Sequence, residues 1–250
     1  MRAARVVASL IAVACLGAAV AWAAVGDGRV PFDQLSVAQQ ERLREVMDGA
    51  AFHRTVLGLT FRSHEPVFLY LVDHPDVAAA AARALGVAKY RIEQRPDGTY
   101  WGDDARGAKG TVEVVYADPR KRVLHAQGTY DTKWLPTIYG RIVLILEFEH
   151  GNGPDGQTRV TNDLTGYLRV DNAFVGTLAR LVGPIVGVAV DRKVARTFGV
   201  AGKVSERAYD DPAGFLQVLR NAPDLDRRHL AALAARLGHA EGNQPTAPAD

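Results

Sequence analysis

From Val87 to Val170 the apolar residues recur at every second position, and beyond Asp171 they recur at three- and four-residue steps. Residues two apart share one face of a strand, while three- and four-residue steps line one face of a helix. The chain therefore needs a fold in which a run of strands is followed by one long helix. Tyr90 and Ile92 lead through the turn Pro96-Asp97-Gly98 to Tyr100-Trp101. Thr111–Tyr116 and Arg122–Tyr130 flank the turn Ala117–Arg120, and Tyr139–Glu149 and Thr158–Val170 flank His150–Gln157. Both pairs read as hairpins. In the last strand Val160, Asn162, Leu164, Gly166, Leu168 and Val170 fall on one face, with Arg159, Thr161, Asp163, Thr165, Tyr167 and Arg169 on the other. That pattern belongs to a half-buried antiparallel strand. Ile142–Leu146 is different, because five consecutive aliphatics mean that both faces avoid water. One face must meet the long helix or a cavity, and the other a second apolar layer, which terminal helices would supply.

Before this run, Ser36 and Gln39 form a capping box, and Leu43, Val46 and Met47 give a narrow apolar stripe that stops at Gly49. Thr55–Phe61 reads as a first strand, and Pro66 and Pro75 open two short helices ending at Asp73 and Leu85. After the strands, Asp171 or Asn172 caps a helix reaching about Tyr209. Its stripe is Phe174, Leu178, Leu181, Ile185 and Val188, with a kink expected at Gly183-Pro184. Shorter helices at Pro212–Arg220 and Leu225–Leu237 follow, and Gly242–Asp250 has the composition of a loose tail.

The N-terminus carries an address. Arg2 and Arg5 precede an uninterrupted run of apolar and small residues, Val6–Ala21, and Ala21-Trp22-Ala23 has the small-x-small form of a signal-peptidase site. Met1–Ala24 is thus expected to direct export to a periplasm or cell envelope. An uncleaved anchor is the rival, though the run is rich in Ala and Gly and so weakly apolar. Lipidation at Cys15, the one cysteine, lacks the usual preceding leucine, since Ala12-Val13-Ala14 stands there. Losing the leader removes two of 30 basic residues and none of 28 acidic ones, so the mature chain is near neutral. A general nucleic-acid binder needs a basic surface, and none is evident.

In order of elements the chain resembles the helix-grip superfamily, the START-like or polyketide-cyclase-like lipid-binding fold. The carrying residues are Glu65-Pro66-Val67-Phe68-Leu69-Tyr70-Leu71-Val72-Asp73-His74-Pro75 and the succession of elements from Thr55 to about Arg207. The resemblance implies an α+β fold, in which a curved antiparallel β-sheet wraps around a long C-terminal helix and leaves a cavity between them. The organisation then expected is a leader 1–24, an N-terminal helical extension 25–54, a helix-grip domain 55–210, C-terminal helices 211–240 and a tail 241–250.

Several motifs have plain structural readings. Gly151-Asn152-Gly153-Pro154-Asp155-Gly156 has the letters of a dinucleotide loop, but a strand follows it where a helix N-terminus is required. It reads as a hairpin loop. Seven scattered histidines lack zinc-ligand spacing, so neither metal nor cofactor is expected. Asp73-His74-Pro75-Asp76 reads as helix-start chemistry. Glu147 and Glu149 share a strand face and read as an exposed rim.

The function expected from the resemblance is non-catalytic binding or transfer of a lipid or other apolar small molecule. Tyr130, Trp134, Tyr139, Asn162, Phe174, Leu178, Leu181, Ile185 and Val188 are the expected cavity lining. Tyr167 offers another aromatic body with a polar tip. Arg192, Lys193, Arg196, Lys203 and Arg207 read as a solvated helix face that could also touch a membrane surface. Two other readings stay open. One is an envelope enzyme on an apolar substrate, of cyclase or aromatase kind, with Tyr130, Asp131, His125 or Asn162 as polar participants. The other is an assembly factor whose cavity its own side chains fill.

Overall fold

The computed structural model describes residues 30–131, 137–171 and 199–241. After a short 3-10 turn, Phe32–Gln34, helix α1 runs over Val37–Asp48. Its start is the expected capping box: Ser36 Oγ accepts from Gln39 N at 3.3 Å and Gln39 Oε1 accepts from Ser36 N at 3.0 Å. Strand β1 is Phe52–Arg62, and helices α2 (Glu65–Asp73) and α3 (Pro75–Ala84) follow, each with a proline in its first turn. Proline serves there because a first-turn N–H has no partner within the helix to lose. Strands β2 (Arg91–Gln94), β3 (Tyr100–Asp103), β4 (Ala108–Ala117), β5 (Lys121–Tyr130), β6 (Ile138–Asn152) and β7 (Thr158–Val170) come next. Helical residues 199–210 (α4), then α5 (Pro212–Arg220) and α6 (Arg227–Glu241), complete the described chain.

All seven strands join one antiparallel sheet in the order β1-β7-β6-β5-β4-β3-β2, so the fold is α+β. Consecutive strands from β2 to β7 are neighbours, as their hairpin turns require, and β1 pairs with β7. The long helix expected from Asn172 to about Tyr209 falls outside the described residues as far as residue 198, and its end coincides with α4. Its kink at Pro184, the leader Met1–Ala24 and the tail from Gly242 onward also lie outside them.

The aliphatic run of β6 sorts into two faces, as its composition demands. Val143 and Ile145 are fully buried beneath Leu43 and Val46 of α1, together with Val115 and Val123. The second apolar layer is therefore the helix N-terminal to the sheet. Leu146 and Phe148 point the other way and pack with Phe61, Val160 and Leu164 against Phe68 of α2. The far flank of α2, carrying Val67, Tyr70 and Leu71, joins α3, α4, α5 and α6 in a separate core around Phe215, Leu219, Leu233 and Leu237. Helix α2 is thus buried on two sides, which explains why its sequence is apolar nearly all round.

Candidate functional site

The sheet face opposite α1 is unevenly covered. At one end Phe68 lies edge-on to Phe148, with ring centroids 5.1 Å apart, and tilts toward Phe61 at 6.0 Å. Toward the other end the strand register places Val112, Ala126, Ile142 and Leu168 side by side on the same face. Val114, Leu124 and Leu144 form the adjoining row. Ile142 is 38% exposed although β6 is paired on both edges, and Val114 is 37% exposed. Next to this strip the register aligns Gly102, Gly110, Gly128 and Gly140 across four strands. A Cβ added at Gly128 would fall on the Lys109 carbonyl oxygen and lie 2.8 Å from Gly110 Cα, so the backbones approach closely there. The result is a side-chain-free lane bordered by partly exposed aliphatics.

The expected lining residues are placed as follows. Tyr130 is on this face at the end of β5, 41% exposed, and pairs with Ile138 beyond the glycine lane. Tyr139 lies on the α1 face and is 53% exposed, so the two tyrosines do not share a pocket. Tyr167 is also on the α1 face, stacked on His53 at 4.3 Å. Asn162 is on the candidate face but opposite Phe148, ten residues along β6 from the partner of Tyr130, or about 33 Å. Its Nδ2 donates to the Leu59 carbonyl at 3.1 Å, beside the irregular register of β1 between Val56 and Leu59. Gly58, at φ +66°, donates its N–H to Asp163 Oδ1 at 2.8 Å in the same bulge. Asn162 is therefore a bulge clamp. Trp134, Phe174, Leu178, Leu181, Ile185 and Val188 lie outside the described residues.

The polar participants of the enzyme reading are dispersed as well. His125 sits under α1, on the face opposite Tyr130. Asp131 accepts from Thr137 Oγ1 at 2.7 Å at the sheet end. Glu147 pairs with Lys121 at 2.9 Å and Glu149 with Arg120 at 3.8 Å, which makes both a charged rim. The glycine-rich loop closes the β6–β7 hairpin, with Gly153 donating to the Gln157 carbonyl at 2.8 Å.

Sequence reasoning missed Arg122. It lies on the apolar face yet is only 6% exposed, with its guanidinium fork on Asp73 at 2.7 and 3.1 Å and further bonds to the Asp118 and Lys121 carbonyls. The guanidinium also stands 5.5 Å from the Phe148 ring centre. This strap fixes the end of α2 to β5. The available signal was an arginine in phase with Leu124 and Ala126.

A buried histidine, His125, and a half-buried one, His150, couple the fold to acidity. Burial, reinforced by the nearby Arg42 and Arg141 and opposed by Glu113 and Glu45, holds His125 below the usual imidazole range. Burial also lowers His150, against the pull of Glu65. Both are neutral when folded, and protonation favours the unfolded chain, where each regains an ordinary pKa. Their contribution is complete above about pH 6.5 and is lost as pH falls toward the lower folded values. The melting temperature is expected to fall between about pH 7.5 and pH 5, and His125→Gln should shrink that fall. An acid profile unchanged in His125→Gln would remove His125 from this account.

No family model and no curated protein matches the chain. Among solved structures it is similar to a conserved protein from Geobacillus kaustophilus, at 12% identity and a TM-score of 0.38, over 62% of this chain and 95% of that one. It is also similar to an uncharacterized protein from Rhizobium leguminosarum, at 15% identity and a TM-score of 0.32, over 62% of this chain and 96% of the other.

Proposed function

We propose that this protein binds a lipid or similar apolar molecule against the sheet face opposite α1, in a helix-grip arrangement, without catalysing a reaction. The observation that carries the reading is Ile142, an aliphatic more than a third exposed in a strand paired on both edges. Apolar surface there gains about 0.8 kcal/mol for each methylene it removes from water, so a chain-like ligand needs no charged anchor. The scattered positions of Tyr130, Asp131, His125 and Asn162 favour binding over the envelope-enzyme alternative, because acid–base chemistry needs its groups within hydrogen-bond reach.

The test is uptake of a fluorescent fatty acid by the purified protein, with lipid extraction and mass spectrometry of protein taken from its native envelope. Ile142→Glu is expected to abolish uptake and to leave the melting temperature nearly unchanged, since the side chain already meets solvent. A wild-type protein that takes up no apolar probe and yields no lipid sinks the reading.

Export to the cell envelope belongs to the same proposal. N-terminal sequencing of the envelope protein is expected to begin after Ala23 or Ala24, whereas an intact Met1 means an anchor. Contact with a membrane surface would involve Lys203 and Arg207, both exposed on α4. Arg207 is held by Asp211 at 2.8 Å, and the two cations border an open hollow of about 430 Å³ with Leu85, Val87 and Val218. Arg192, Lys193 and Arg196 lie outside the described residues. Among the described residues no helix is long and apolar enough to cross a membrane.

A further inference from the structure

The sheet face beneath α1 carries a buried imidazole. His125 is 7% exposed, lies on the same face as Val123, and has Glu113 of β4 and Val143 of β6 as its cross-strand neighbours. Leu43 and Val46 of α1 close over Val115, Val123, Val143 and Ile145, with Tyr167 of β7 at the margin. Around this core α1 is fastened by ions. Arg42 forks onto Glu113 at 3.0 and 3.3 Å, and Arg141 holds Glu45 at 2.7 Å. Arg169 reaches the Glu45 carboxylate at 3.3 Å and its carbonyl at 2.8 Å. Asp171 joins the network through Arg141 at 2.8 Å and Arg169 at 3.5 Å.

Three guanidiniums thus meet three carboxylates, and the network is neutral while His125 is neutral. A proton on the ring would add a charge that no carboxylate of the network is left to balance, at a site largely closed to water. The charged groups around the ring are Arg42 and Glu45 from α1, Arg141 from β6 and Glu113 from β4. Its bond to Arg141 holds the Glu45 carboxyl below the usual range, so that clasp stays ionised where a histidine titrates. Of the elements that meet at the ring, α1 is the one able to give way. β5 is laddered to β4 and β6 along nearly its whole length, whereas α1 has twelve residues and fully buries only Leu43 and Val46. A helix so short is marginal on its own, and weakly held elements open before the whole domain does.

We propose that α1 is an acid-released cover: a proton taken up by His125 frees it from the sheet and bares Val115, Val123, Val143 and Ile145, while the sheet and the C-terminal helices stay folded. The device lies on the face opposite the apolar strip, so it and the lipid reading can fail separately. In the open form the imidazole is ordinary, near about pH 6.5, and in the closed form burial and Arg42 hold it lower. Closure is therefore favoured above about pH 6.5 and is lost progressively below it.

The experiment is amide hydrogen exchange of the full chain at pH 7.5 and 5.5, corrected for the intrinsic pH dependence of exchange, comparing α1 with α5. Protection of α1 is expected to fall several-fold at the lower pH, with about tenfold the limit for one proton over this range. Its exchange should not respond to low, sub-denaturing urea, the mark of local opening, whereas α5 should exchange more slowly and follow global unfolding. His125→Gln and His125→Leu both remove the titration, the second with a side chain suited to the apolar interface, and the pH response of α1 should vanish in either one that folds. His150→Gln, on the other sheet face, should retain it. Equal protection of α1 and α5 at both pH values, no change in α1 between them, or a response that survives the loss of His125 would each overturn the proposal.

Discussion

Phe148→Ala is expected to lower stability by about 3–5 kcal/mol and the melting temperature by about 6–20 °C, the largest effect of any single truncation in the sheet. Phe148 is 2% exposed and is among the largest fully buried side chains of the described protein. Its ring takes Phe68 edge-on at 5.1 Å, lies 6.1 Å from His150 and sits beneath the Arg122 guanidinium. Truncation therefore leaves a void that three different elements border, and none can collapse into it without moving the strap between Arg122 and Asp73. Thermal and urea unfolding of Phe148→Ala measure the loss. A change below about 1 kcal/mol would mean that α2 is not seated on the sheet as described.

The second large effect is expected from adding one methyl group. Gly128→Ala places a Cβ on the Lys109 carbonyl oxygen and against Gly110 Cα, both of them backbone and unable to turn aside. Relief requires β4 and β5 to separate, which breaks ladder hydrogen bonds. A loss of about 3 kcal/mol is expected, at the upper end of ordinary overpacking. Gly151→Ala is the internal control. It lies in the same sheet with nothing within 4 Å of the new Cβ, and no significant loss is expected. Equal stability of the two variants, read by chemical unfolding, would show that the glycine lane does not force the strands together.

The period-two run between Val87 and Val170 made the six consecutive strands legible, because alternation reports a half-buried sheet directly. The capping box at Ser36 and the prolines opening α2 and α3 were equally readable, since each acts through its immediate neighbours. Strand ends were less so. β4 starts at Ala108 and not Thr111 because Gly110 pairs with Gly128, and a glycine that looks like a break in sequence becomes a close approach once its partner is known. The Ile142–Leu146 run announced a two-sided strand but could not say which helix lies on each side. That depends on chain direction, and it fell to α1.

The site was harder to read. Tyr130, Tyr139 and Tyr167 look alike as amphipathic aromatics, yet register parity alone sends the last two to the α1 face. Asn162 has the composition of a ligand-binding polar group and the surroundings of a bulge clamp. Asp76 stands in the first turn of α3, where the helix-start reading put it.

The pairing of β1 with β7 has a consequence for how the chain is made. His53 meets Tyr167 and Phe61 meets Val160, so the first strand waits for nearly the entire sheet to leave the ribosome. Until then β1 has no ladder, and the fifteen-residue β6 presents an apolar edge with no neighbour beyond it. Folding of this kind cannot finish before its longest loop closes, which must await synthesis of β7. A nascent chain that stays open until its C-terminal half emerges can still be threaded through a translocation channel. The same delay makes a truncation before Thr158 an aggregation hazard, because β6 would then be left as a long unpaired edge.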